Sequence, residues 1–93
     1  MKNYESVIII KPTLNDKEIE KLKEKVTKLI NQIGQLKSIE SLGLKRLAYE
    51  IKKCNEGYYC LFNFEATPNS IYELERNYRI TDDILKFIVV RKD

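Results

Sequence analysis

The apolar residues of this chain switch between two spacings, and the order of those switches limits the possible folds more than any single motif does. A run at Val7 to Ile10 closes on Lys11-Pro12, where proline removes a ladder donor and holds the preceding residue extended, so residues 2 to 11 read as a buried strand. Leu14-Asn15-Asp16-Lys17-Glu18-Ile19 then supplies the parts of a helix start: Asn15 to cap, Glu18 to return the bond, and Leu14 to pack on Ile19. Ile19, Leu22, Val26, Leu29, Ile30 and Ile33 follow on one helical face until Gly34 offers a left-handed stop, which predicts a helix over 16–33. Lys45, Leu47, Tyr49 and Ile51 next alternate with Arg46, Ala48, Glu50 and Lys52, giving a long strand kinked near Gly43. Asn55-Glu56-Gly57 carries turn chemistry, and residues 58–67 alternate again, with Cys60, Phe62 and Phe64 opposed to Tyr59, Leu61 and Asn63. Thr67-Pro68-Asn69 opens a shorter helix with Ile71, Leu74 and Tyr78 on one face, and residues 84–91 read as a last strand.

Strand, helix, strand, strand, helix, strand is the split βαβ arrangement. The right-handed crossover rule then leaves a four-stranded antiparallel sheet, order 4-1-3-2, with both helices on one face. The expected class is α+β, a ferredoxin-like fold forming a single domain over residues 1–93. With 93 residues and 43% hydrophobic content the chain can build one core and not two. One sheet face is left without a helix, so residues of that parity are available to a partner, although a one-residue slip would exchange the two sets.

The absences narrow the chemistry. No histidine is present, which removes the usual proton carrier and zinc ligand. Cys54 and Cys60, with five residues between them, match neither a redox pair nor a zinc knuckle and read as reduced thiols; two cysteines also cannot supply the four thiolates of an iron–sulfur cluster. Lys11-Pro12-Thr13-Leu14-Asn15 has no glycine and one base, so it offers no phosphate cradle for an acyl-phosphate hydrolase. Asp82-Asp83 reads as the turn before the last strand rather than as an acid–base pair. The expectation is a protein with no catalytic residues, no metal and no cofactor, and with no small-molecule substrate. The short apolar run after Met1-Lys2-Asn3-Tyr4-Glu5 predicts no signal peptide or membrane span.

The formal net charge of +3 points instead toward a phosphate-bearing partner. Lysines of the first helix interleave with Asp16, Glu18, Glu20 and Glu24 and read as a solvated face. Bases outside it, Lys2, Lys45, Arg46, Lys52, Lys53, Lys86, Arg91 and Lys92, fall at strand ends and on the hairpin, and the strand order brings Lys2 and Arg91 close. Gly57-Tyr58-Tyr59-Cys60-Leu61-Phe62-Asn63-Phe64 partly matches an RNA-recognition strand, but strand one presents no second aromatic after Tyr4 for a two-ring platform. Phe62 and Phe64 therefore read as core, and open-face Val7, Ile9, Tyr59 and Leu61 as an apolar patch for a protein partner.

Tyr4-Glu5, the stretch Gly43-Leu44-Lys45-Arg46-Leu47-Ala48-Tyr49-Glu50-Ile51, Gly57-Tyr58, and Arg79-Ile80-Thr81-Asp82-Asp83-Ile84 ahead of Ile88-Val89-Val90 carry a family resemblance. The chain resembles the family of bacterial small-ribosomal-subunit protein six along essentially its whole length. The resemblance implies a structural protein of the small ribosomal subunit, cytoplasmic and ribosome-bound, with an organellar ribosome as the other setting. It implies binding to the central domain of 16S-type ribosomal RNA together with small-subunit ribosomal protein eighteen. It places RNA contacts on Lys2, Lys45, Arg46, Lys86, Arg91 and Lys92, and partner contacts on Leu47 and Tyr49 beside the open-face residues. The alternative of a different class is a ligand-sensing regulatory domain that dimerises through its open sheet face.

Overall fold

The computed structural model describes residues 1–92. Its elements are β1 (Lys2–Ile10), α1 (Asp16–Ile33), β2 (Gly34–Ile51), β3 (Cys54–Ala66), a 3₁₀ turn (Pro68–Ser70), α2 (Ile71–Arg79) and β4 (Ile84–Arg91). The four strands form one antiparallel sheet in the order β2-β3-β1-β4, the expected ferredoxin-like topology.

The start of α1 follows from its capping box: the Glu18 backbone N–H donates to Asn15 Oδ1 at 2.9 Å, and the Asn15 N–H donates to Glu18 Oε1 at 2.9 Å. Two of the helix's orphan donors are thus satisfied by side chains three residues apart. Its buried residues Ile19, Leu22, Val26 and Ile30 meet Leu74 and Tyr78 of α2 and the core parity of the sheet: Tyr4, Ile8 and Ile10 from β1, and Cys60, Phe62, Phe64 and Ala66 from β3. Phe62 and Phe64 are core residues, as their alternation predicted; each fully buried side chain of this size contributes about 1.5–3 kcal/mol. Among the described residues Ser6 is the buried polar exception, and its hydroxyl lies 2.9 Å from that of Tyr78. Asp82 and Asp83 form the turn into β4, where the Asp83 carbonyl accepts from the Lys11 N–H at 2.9 Å.

Two local expectations are corrected. Gly34 does not stop α1 in a left-handed conformation: its φ is −178°, and it opens β2 directly. The reason for glycine there is space, because a side chain would strike the Glu65 carbonyl of β3. The hairpin turn is not Asn55-Glu56-Gly57, which lies inside β3, but Lys52-Lys53, both with positive φ. Thr67-Pro68-Asn69 opens the second helix as expected, with Pro68 in a first turn that is 3₁₀ before Ile71 continues it as α-helix. The kink at Gly43 is present, with φ +85° beside a register shift between Ser41 and Gly43.

Candidate nucleic-acid and partner interface

The helix-free face is not bare. Between the Arg46–Glu56 pair and the Ile51–Cys54 pair, β2 runs five residues forward, from 46 to 51, while antiparallel β3 runs back only two, from 56 to 54. The surplus in β2 makes the arm bulge and curl over its own sheet. Leu47 thereby packs with Ile9 of β1 and Leu85 of β4 in a second small core, flanked by Ile51, Cys54 and Tyr59. Ile9 and Leu47 are each only 8% exposed, which corrects the expectation that both lie open to a partner; they hold the arm down. Val7, Tyr59 and Leu61 are half-buried and remain on the open face, and Tyr49 is 61% exposed.

Gly57 permits this docking. A Cβ at that position would meet Ile9 Cγ2 and lie 3.6 Å from Leu47 Cδ2. Gly57→Ala is therefore expected to cost about 1–3 kcal/mol by overpacking the second core, read as a lowered urea midpoint. An unchanged midpoint would show that the arm does not press on Ile9.

Two lysine–tyrosine pairs sit on top of this second core. Lys86 Nζ donates to the Tyr49 hydroxyl at 2.8 Å and stands 5.4 Å from the Tyr49 ring centroid. Lys45 Nζ stands 5.9 Å over the Tyr59 ring. The hydrogen bond to Tyr49, helped by the charges of the Tyr49 and Tyr59 phenols, favours the ammonium and raises the Lys86 pKa. Neither lysine has an acidic partner among the described residues. Beside Lys86, the residues Val7, Ile9, Tyr59 and Ile88 line part of a groove of about 200 Å³. Such an arrangement can hold a phosphate at its rim and an apolar or aromatic group on its floor.

The candidate bases fall into two groups rather than one patch. Lys45, Arg46 and Lys86 gather at the Ile9–Ile10 end of β1, since Ile9 pairs with Lys86 and Lys45 pairs with Gly57 of β3. Lys2, Arg91 and Lys92 gather at the other end, where Tyr4 pairs with Arg91 and the Lys92 N–H donates to the Asn3 carbonyl at 2.8 Å. The strand between the groups spans roughly 20 Å. Lys92 is already engaged, with Nζ 3.5 Å from Glu5 Oε2 and 3.4 Å from Asn63 Oδ1, whereas Arg46 is exposed opposite Glu56.

Sequence reasoning missed Leu85, the β4 contribution to the second core, and the exposed Ile88 and Val90, which share the open-face parity opposite Val7 and Glu5. Their alternation with Phe87 and Val89 was the available signal.

A family model described as ribosomal protein S6 matches residues 3–91. The chain is 40% identical to small ribosomal subunit protein bS6 of Caldanaerobacter subterraneus subsp. tengcongensis, covering all of this chain and 99% of that protein. It is 45% identical to small ribosomal subunit protein bS6 of Helicobacter acinonychis, of whose length it spans 66% while being covered completely itself. Among solved structures it is similar to 30S ribosomal protein S6 from Thermotoga maritima, with TM-score 0.93 and 38% identity over 98% of this chain and 87% of that one.

Proposed function

This chain belongs to the ribosomal protein S6 family, and on that premise we propose that it binds the central domain of small-subunit ribosomal RNA jointly with small-subunit ribosomal protein eighteen. It is a structural, non-enzymatic constituent of the small ribosomal subunit. Its relatives in Caldanaerobacter and Helicobacter are bacterial, which supports a ribosome-bound protein of the bacterial cytoplasm, and the proposed unit is a single domain over residues 1–93.

The observation that carries this reading is the pair of unneutralised lysines, Lys45 and Lys86, mounted on Tyr59 and Tyr49 above an apolar floor. Lysines without acidic partners suit the RNA backbone, and half-buried Val7, Tyr59 and Leu61 suit the protein partner. Arg46 belongs with the lysine pair, while Lys2, Arg91 and Lys92 would meet a second stretch of backbone at the far end of the sheet.

A net charge of +3 is modest for an RNA binder acting by itself. Filter binding to a central-domain transcript is expected to give weak affinity for this chain alone and tight affinity once protein eighteen is added. Nanomolar binding by the lone chain would refute the joint reading. Combining Lys45→Ala with Lys86→Ala is expected to flatten the log–log salt dependence of the ternary complex by about 1.5–2, one phosphate contact per lysine. A double variant with the wild-type slope would remove this end of the sheet from the interface.

A further inference from the structure

We propose that the hairpin tip, Lys52-Lys53, is a preformed contact for the sugar–phosphate backbone of RNA, an inference that rests on the RNA-binding reading above. The turn has two residues, with φ of 48° at Lys52 and 66° at Lys53. Two consecutive left-handed residues are the hallmark of a tight hairpin turn in which Asn-Gly is strongly favoured and a side chain such as lysine is disfavoured. Better turn chemistry lies only a few residues on, at Asn55-Glu56-Gly57, yet those residues are drawn into β3.

The conformation persists because both stems are anchored. Ile51 and Cys54 pair across the turn and pack against the cluster of Ile9, Leu47 and Leu85. The apex is thus held by the sheet beneath it rather than by its own preferences, the usual circumstance of backbone strain kept at a functional position. Both lysines are exposed, and neither ammonium has a hydrogen bond or ion pair within the described residues. Lys45, Arg46, Lys52 and Lys53 outnumber Glu50 and Glu56 along the arm.

RNA fits this apex better than a protein does. No large apolar side chain stands at Lys52 or Lys53 to form the dry centre a protein interface needs. Two adjacent ammonium groups on flexible stems act as point charges, which tolerate the varying geometry of a phosphate backbone.

The test replaces the turn by its preferred residues, Lys52→Asn together with Lys53→Gly. This change relieves the backbone while removing both charges, so the melting temperature is expected to stay at or above that of the wild type. Affinity for the central-domain transcript in the presence of protein eighteen is expected to fall roughly tenfold, with the salt slope reduced by about 1.5–2. The charge-preserving pair Lys52→Arg and Lys53→Arg is expected to retain wild-type binding. Undiminished affinity and slope in the Asn-Gly variant would overturn the inference and leave the parent reading intact. So would an equal loss in binding to protein eighteen without RNA, which would mark the tip as a protein contact. Failure of the wild-type chain to bind the transcript even with protein eighteen would instead overturn the parent reading.

Discussion

Gly34→Ala is expected to destabilise the protein by about 3 kcal/mol or more, the high end of what overpacking costs. The methyl carbon would fall on the Glu65 carbonyl oxygen, 2.8 Å from the Glu65 carbonyl carbon and 2.9 Å from Ala66 Cα, all backbone atoms. That backbone cannot retreat, because Ala66 is paired on one side with Gly34 and on the other with Lys2 of β1. A domain of this length has a total stability on the order of 5–14 kcal/mol, so the loss would be a large share of it. Gly43→Ala makes the control: nothing lies within 4 Å of its added carbon, but φ of +85° charges about 1 kcal/mol for the torsion alone. Urea denaturation reads both; a Gly34→Ala midpoint no lower than that of Gly43→Ala would mean that β2 can slide away from β3.

Alkaline pH is expected to unfold the wild type more readily than Tyr78→Phe. The Tyr78 phenol is 1% exposed, and burial pushes its pKa up to about 12, with the Ser6 hydrogen bond acting weakly in the opposite direction. The ordinary value is about 10, so the folded state holds this proton more tightly than the unfolded state does. The contribution is therefore complete below pH about 10 and is lost as pH rises from about 10 to about 12, amounting to about 2–3 kcal/mol at the end of that window. At neutral pH the order reverses. Tyr78→Phe strands the Ser6 hydroxyl, 2.9 Å away in the wild type, and costs about 1–2 kcal/mol. The stabilities measured by urea from pH 7 to 11.5 should converge and then cross, while lysine titration affects both proteins alike. Curves that stay parallel would mean the phenol ionises in place without disturbing the core.

These two positions also divide what was legible from what was not. Tyr78 could be assigned to a helix face from its spacing with Ile71 and Leu74, but its hydroxyl partner, Ser6, lies on the first strand and no local pattern connects them. Gly34 was legible as a boundary, and its cause was misread: a helix-ending glycine and a glycine under a neighbouring strand look identical until the neighbour is placed. The hairpin shows the same limit. Turn propensity favours Asn55-Glu56-Gly57, yet pairing of β2 with β3 and the docking of Leu47 on Ile9 and Leu85 move the apex to Lys52-Lys53 and make Gly57 a spacer against Ile9.

The candidate interface divides in the same way. That Val7, Ile9, Tyr59 and Leu61 share a helix-free face could be read from parity and strand order, and that the bases fall at strand ends and on the hairpin could be read from their positions. That Ile9 and Leu47 are covered, that Lys86 is tethered to Tyr49, and that the cations form two groups could not. By itself the sequence determined the elements, their order, the sheet topology and the family, because periodicity and capping act over a few residues and the handedness of crossovers leaves few alternatives. Only the tertiary structure decided where the hairpin arm lies and which apolar residues it hides, because that is a competition between local turn preference and burial against strands distant in the chain, and burial of Leu47, Ile9 and Leu85 prevails.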